Sequence, residues 1–123
     1  MSVSGFLEIT KDRILGHKNS KHLINYGISD FNQAGIESNI DVKIKLYDSS
    51  IKKFQEAAKN GFPEGYMWGG RALSQKAKLE GKNELLNVQI LFQRAIDGGC
   101  LEAKKYLRQI QCQEAKYKLN EKK

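Results

Sequence analysis

Residues 54–65 read FQEAAKNGFPEG, and residues 92–103 read FQRAIDGGCLEA. Each stretch joins the end of one helical pattern to the start of another. In the first, Phe54, Ala57 and Ala58 fall at helical spacing and share one face. Asn60-Gly61 then offers a residue free to adopt the left-handed conformation that ends a helix. Pro63 follows at a first-turn position, where its missing N–H would be unpaired in any case. Glu64 places a carboxylate at the positive end of the next helix dipole. The second stretch repeats the arrangement with Phe92, Ala95, Ile96, Gly98-Gly99 and Glu102.

The echo extends on both sides. A shift of 38 residues aligns Phe54 with Phe92, Ala57 with Ala95, Gly61 with Gly99, Glu64 with Glu102 and Trp68 with Tyr106. A period in this range marks arrays of stacked helix pairs. Helical periodicity runs through the rest of the chain. Leu23, Tyr26, Gly27 and Phe31 line residues 21–34, and Ile44, Tyr47, Ile51, Phe54 and Ala58 line residues 43–60. Gly65, Trp68, Gly69, Ala72 and Leu73 line residues 64–79, and Val88, Leu91, Phe92, Ala95 and Ile96 line residues 84–97. Ala103, Tyr106, Leu107 and Ile110 begin a last helix that continues to about Leu119. The alternating run VKIKL (42–46) also fits a helix, because Ile40, Ile44 and Tyr47 keep helical spacing. Gly35 and Gly81 punctuate the remaining connections, and a short sixth helix is expected near residues 5–15.

The pattern predicts an all-α fold, a short α-solenoid of antiparallel helix pairs with five to six helices, as one domain over residues 1–123. Its units would span residues 21–61 and 62–99, closed by a capping helix at 100–119. The first unit aligns with the second only at a shift of 42 or 43. Gly61, Gly65 and Gly69, spaced by four, predict a glycine face that lets a neighbouring helix approach closely.

On these residues the chain resembles the Sel-one-like repeats, a branch of the tetratricopeptide-like solenoids. FQEAAKNG and FQRAIDGG match the second-helix signature of an aromatic, two polar residues, a small pair, two polar residues and glycine. Residues 63–73 and 101–107 match the start of the following first helix. The chain departs where the family places tryptophan before the aromatic, having Lys53 and Leu91 there, and residues 74–83 hold a single glycine, Gly81. The resemblance covers about residues 20–110. It implies a scaffold that holds another protein and does no chemistry of its own.

Composition fits a globular chain, with 40% hydrophobic and 28% charged residues. No apolar run approaches the roughly 20 residues of a membrane span, and the N-terminus lacks a signal-peptide pattern, so a cytoplasmic address without a membrane partner is expected. No phosphate-binding loop, nucleophile elbow or zinc-protease motif is present, so no enzymatic activity and no cofactor are expected. His17 and His22 are five apart, which misses the spacing for two metal ligands on one helix face. Cys100 and Cys112 would sit about 18 Å apart on one helix, too far for a disulfide.

The net charge is +7, and the last 24 residues carry seven basic and three acidic side chains. Lys104, Lys105, Arg108, Lys116 and Lys118 could meet phosphate or an acidic protein surface, or simply form a solvated terminal helix. Trp68 and Tyr106 occupy equivalent positions, and a shift of 42 adds Tyr26 to an aromatic row that a shift of 43 excludes. Such aromatics, with Tyr66 beside them, are candidate interface anchors or packing between helices. The expected function is a protein-binding adaptor or a neutralising, immunity-type protein whose partner is another protein, with an acidic protein as one candidate. The alternative is a basic accessory protein that contacts nucleic acid through its C-terminal helix.

Overall fold

The computed structural model describes residues 21–121 of the 123-residue chain. These residues form five α-helices and no strand. Helix α1 covers residues 21–36, α2 is Ile40–Lys59, α3 is Glu64–Glu80, α4 is Leu85–Asp97 and α5 is Ala103–Glu121. The fold is all-α, and each helix from α2 onward packs against the next in the chain. The helix expected near residues 5–15 lies outside the described residues.

Two boundaries move from their expected places. Helix α2 starts at Ile40 because Asn39 caps it, its side-chain oxygen accepting from the Val42 N–H at 3.1 Å. The Glu37 carboxylate accepts from the Asn39 N–H at 3.0 Å, which fixes the approach to the cap. A cap of this kind contributes about 1 kcal/mol, enough to draw VKIKL into the helix. Gly35 does not punctuate the connection. It lies within α1, and residues 37–39 make the turn without a left-handed residue.

The two halves of the repeat end their helices with the same atoms. Gly61 and Gly99 adopt φ of +100° and +104°. The Gly61 N–H donates to the Ala58 carbonyl at 3.1 Å and the Phe62 N–H to that of Ala57 at 3.1 Å. Thirty-eight residues on, Gly99 donates to Ile96 at 2.9 Å and Cys100 to Ala95 at 2.8 Å. This paired pattern is the Schellman motif, which satisfies carbonyls that a helix end would leave unpaired.

Packing repeats as well. One apolar cluster joins α1, α2 and α3 around Ala34, Tyr47, Phe54 and Ala72. A second joins α3, α4 and α5 around Met67, Val88, Phe92, Ala95 and Ala103. Helix α3 therefore serves both cores, and Trp68 packs against each. In each core a phenylalanine ring rests on a glycine. A Cβ on Gly27 would lie 2.5 Å from the Phe54 ring, and one on Gly70 would lie 2.7 Å from the Phe92 ring. Gly27 and Gly70 are 43 residues apart, which decides between the two shifts left open by the sequence and aligns Tyr26 with Gly69.

The glycine face is also redrawn. Gly61 sits in the turn, and Gly69 has only ordinary contact at its Cβ position, 3.8 Å from the Phe54 Cβ. Gly65 alone of the three is at a close approach, because a Cβ there would press on the Phe54 carbonyl and lie 2.7 Å from the Ala58 nitrogen. On α1 the inward face is Ile24, Gly27, Ile28, Phe31 and Ala34, rotated from the stripe through Tyr26. Polar ties pin successive helices. Asp30 on α1 accepts from Ser49 at 2.8 Å and pairs with Lys53 on α2. Lys76 pairs with Asp48 at 2.6 Å across α3 and α2, and Gln89 donates to Glu114 at 2.6 Å across α4 and α5.

Cys100 lies in the turn before α5, buried against Met67, with its sulfur 3.8 Å from that of the methionine. Burial pushes its thiol pKa up, which keeps it from the reactive thiolate form. Cys112 is exposed on α5. A thiol reagent at neutral pH is therefore expected to modify Cys112 in the native protein and Cys100 only after denaturation. Peptide mapping of native and denatured samples checks this, and rapid native labelling of Cys100 would contradict the packing.

Candidate binding groove

Helices α1, α3 and α5 meet along one side of the molecule through aromatic rings. Phe31 of α1 stands edge-on to Trp68 of α3, with ring centroids 5.7 Å apart. Trp68 stacks on Phe54 at 5.8 Å, and Tyr106 of α5 stacks on Phe92 at 5.8 Å. The positions aligned by the repeat thus carry the same contact, a half-buried aromatic laid over a buried phenylalanine.

Arg71 ties these rings together. Its guanidinium carbon lies 4.4 Å from the Trp68 ring centre, 4.7 Å from that of Tyr106 and 5.3 Å from that of Phe31. All three distances are within reach of cation–π attraction. The spacing of Trp68 and Arg71 puts both on one face of α3. Arg71 forms no ion pair with a described residue, unlike the nearby Lys76, whose ammonium is held above its ordinary pKa chiefly by its hydrogen bond to the Asp48 carboxylate.

Beside this cluster runs a groove of about 260 Å³, walled by Phe31, Arg71 and Lys78 on one side and Tyr106, Gln109 and Gln113 on the other. Ser74 and Gln75 also line it, and no carboxylate does. The groove continues into a second hollow of about 380 Å³, which shares Ser74, Lys78 and Gln113 and reaches Lys82, Glu84 and Tyr117. The result is a trough along the α3–α5 seam.

The predicted site residues separate on this map. Trp68 and Tyr106 belong to the ring cluster. Tyr66 is half-buried against the α3–α4–α5 core. Tyr26 is 62% exposed, with its ring 6.5 Å from that of His22, and takes no part in the cluster. Five residues of helix turn it about 140° from Phe31, which stands next to Trp68 in its place.

Lys104, Lys105, Arg108, Lys116 and Lys118 are all exposed on α5, within one half of the helix circumference at about 100° per residue. Lys105 pairs with Glu102 at 3.7 Å and Lys118 with Glu114 at 3.5 Å, while Lys104, Arg108 and Lys116 pair with no described residue. Gln89 and then Lys118 hold the Glu114 carboxyl below its ordinary pKa.

No family model, curated protein or solved structure matches the chain. Among the described residues no group of three or more His, Cys, Asp or Glu side chains is placed to hold a metal ion. His17 lies outside the described residues. No described helix is long and apolar enough to cross a membrane.

The groove residues absent from the sequence-based expectation are Arg71, Lys78 and the three glutamines. The only signal for Arg71 was its spacing from Trp68, because its contacts to Phe31 and Tyr106 join distant parts of the chain. Lys78, Gln75 and Gln109 are exposed polar residues on helices and Gln113 is a half-buried one, and they carry no pattern of their own.

Proposed function

We propose that this chain is a non-catalytic protein-binding module, a short helical-repeat array of the Sel-one-like kind, that receives a partner protein in the α3–α5 trough. The observation that carries the reading is the trough itself, walled by Arg71 over three rings and by a set of amide side chains. Its groups are suited to recognition, with rings, amides and two cations and no carboxylate in the first hollow. The repeated Schellman ends and glycine-seated phenylalanines support the repeat assignment. A cytoplasmic adaptor or a neutralising, immunity-type protein suits a module of this size.

A second reading has one observation in its favour. Lys104, Arg108 and Lys116 are exposed cations without an acidic partner among the described residues, as a nucleic-acid contact through α5 would need.

One capture experiment separates the two. Gln109→Trp plugs the groove from an exposed helix position, and Lys104→Gln/Arg108→Gln/Lys116→Gln strips the α5 face. The protein-binding reading expects a specific protein to be retained after nuclease treatment by the wild type and the α5 variant. The Gln109→Trp variant should lose it while keeping the wild-type melting temperature. Retention by Gln109→Trp, or loss on nuclease treatment, would reject the groove as the binding site.

A further inference from the structure

We infer that the trough takes an extended acidic protein segment whose carboxylates, spaced about three residues apart, reach Arg71 and Lys78. The inference rests on the protein-binding reading and names the chemistry of the partner. Its first support is charge. Arg71 and Lys78 both line the first hollow, neither pairs with a described carboxylate, and no acidic side chain lines that hollow. The cations of the first hollow, with no counter-charge among its lining residues, are complementary to an acidic occupant, and the one carboxylate of the trough, Glu84, lies in the second hollow beside Lys82.

Preorganisation is the second support. The rings of Phe31, Trp68 and Tyr106 surround the Arg71 guanidinium, so binding costs little further side-chain freedom. Such a held guanidinium can grip a carboxylate through two parallel N–H donors. Lys78 is exposed and presents a movable point charge farther along the same helix.

Spacing is the third. Arg71 and Lys78 are seven positions apart on α3, so they lie about 10.5 Å apart along one face. A chain in polyproline-type geometry repeats its side-chain direction every three residues over about 9.3 Å. Acidic side chains at every third position therefore meet both cations without bending the peptide.

The amides discriminate between classes of polyanion. Gln75, Gln109 and Gln113 line the same hollow, and each carries both donors and an acceptor. A peptide main chain offers matching carbonyls and N–H groups. A phosphodiester backbone offers acceptors only and would engage the glutamine N–H donors but not their oxygens. The observations thus favour an acidic polypeptide over nucleic acid.

The test uses the full chain and a fluorescein-labelled twelve-residue peptide that repeats Glu-Ser-Gly, followed by fluorescence anisotropy. Saturable binding is expected, weakened at least about tenfold, or about 1.4 kcal/mol, by exchanging every glutamate in the peptide for glutamine. Lys78→Gln and Gln75→Glu should each produce a comparable loss. Both alter exposed side chains and should keep the melting temperature. Arg71→Gln should also lose binding, and the two exposed variants keep the test readable if that variant destabilises the ring cluster. Lys104→Gln/Arg108→Gln/Lys116→Gln removes charges that do not line the first hollow, although Arg108 and Lys116 flank Gln109 and Gln113, so its loss should be clearly smaller than that of Lys78→Gln.

No binding at millimolar peptide, or equal binding of the glutamine peptide, overturns the inference. So does loss in the α5 variant alone. Tighter binding of a twelve-nucleotide oligodeoxythymidylate that is sensitive to Lys78→Gln would reassign the groove to nucleic acid. Self-association abolished by Lys78→Gln would reassign it to a second copy of the chain. If capture of a protein still depends on Gln109 while the acidic peptide fails, protein binding stands and the acidic chemistry falls.

Discussion

Gly65→Ala is expected to destabilise the protein by about 3 kcal/mol and to lower its melting temperature by at least about 10 °C. The added methyl would press on the Phe54 carbonyl and lie 2.7 Å from the Ala58 nitrogen. Both are backbone atoms within α2, so neither can rotate aside as a flexible side chain would. Relief requires moving α3 away from α2, which loosens the contacts of Trp68 and Ala72 with the first core. Alanine is the better helix former by about 1 kcal/mol, and that gain offsets only part of the clash. Gly69→Ala is the matched control. Its methyl would meet only the Phe54 Cβ, at an ordinary 3.8 Å, so the propensity gain should dominate and stability should hold or rise by up to about 1 kcal/mol. Urea titrations of the two variants check the contrast. Equal effects at the two positions would mean that α2 and α3 are not in close backbone contact at Gly65.

That contrast marks how far the sequence could be read. Gly65 and Gly69 look alike in a pattern of spaced glycines, because spacing assigns a face and cannot measure how near the neighbouring backbone comes. The turns at Gly61, Gly81 and Gly99 were legible because their requirement is local, a left-handed residue where a helix must stop. Helix α1 shows the opposite case. Residues 23–31 hold two overlapping apolar stripes, one through Tyr26 and one through Ile24 and Ile28. Only the docking of the Phe54 ring on Gly27 selects the second. Tyr26 then turns outward, and the aromatic beside Trp68 becomes Phe31. The trough was less legible still. Arg71 gathers rings from α1, α3 and α5, and no local pattern predicts which distant side chains a helix face will meet.

The second large effect is expected at the glycine-seated phenylalanines. Phe54 is fully buried, rests on Gly27 and stacks with Trp68, so Phe54→Ala should cost about 3–5 kcal/mol. Gly27→Ala alone should cost about 1–3 kcal/mol, because its methyl would lie 2.5 Å from the ring. In the Phe54→Ala background the ring is gone. The same methyl then enters vacated space and raises helix propensity, so Gly27→Ala should become neutral or stabilising, with a coupling of about 2–3 kcal/mol. Gly70 and Phe92 should behave alike, their methyl-to-ring distance being 2.7 Å. The crossed pair, Gly27→Ala with Phe92→Ala, belongs to different cores and should be additive within about 0.5 kcal/mol. If either alanine variant fails to fold, Phe54→Leu and Phe92→Leu shorten the rings without emptying the sites and keep the cycles measurable. Strong coupling in the crossed pair, or none within a unit, would mean that the echo of FQEAAKNG in FQRAIDGG is a likeness of sequence without a shared packing unit. Coupling confined to each unit would instead make the glycine-seated phenylalanine the energetic element that the chain repeats.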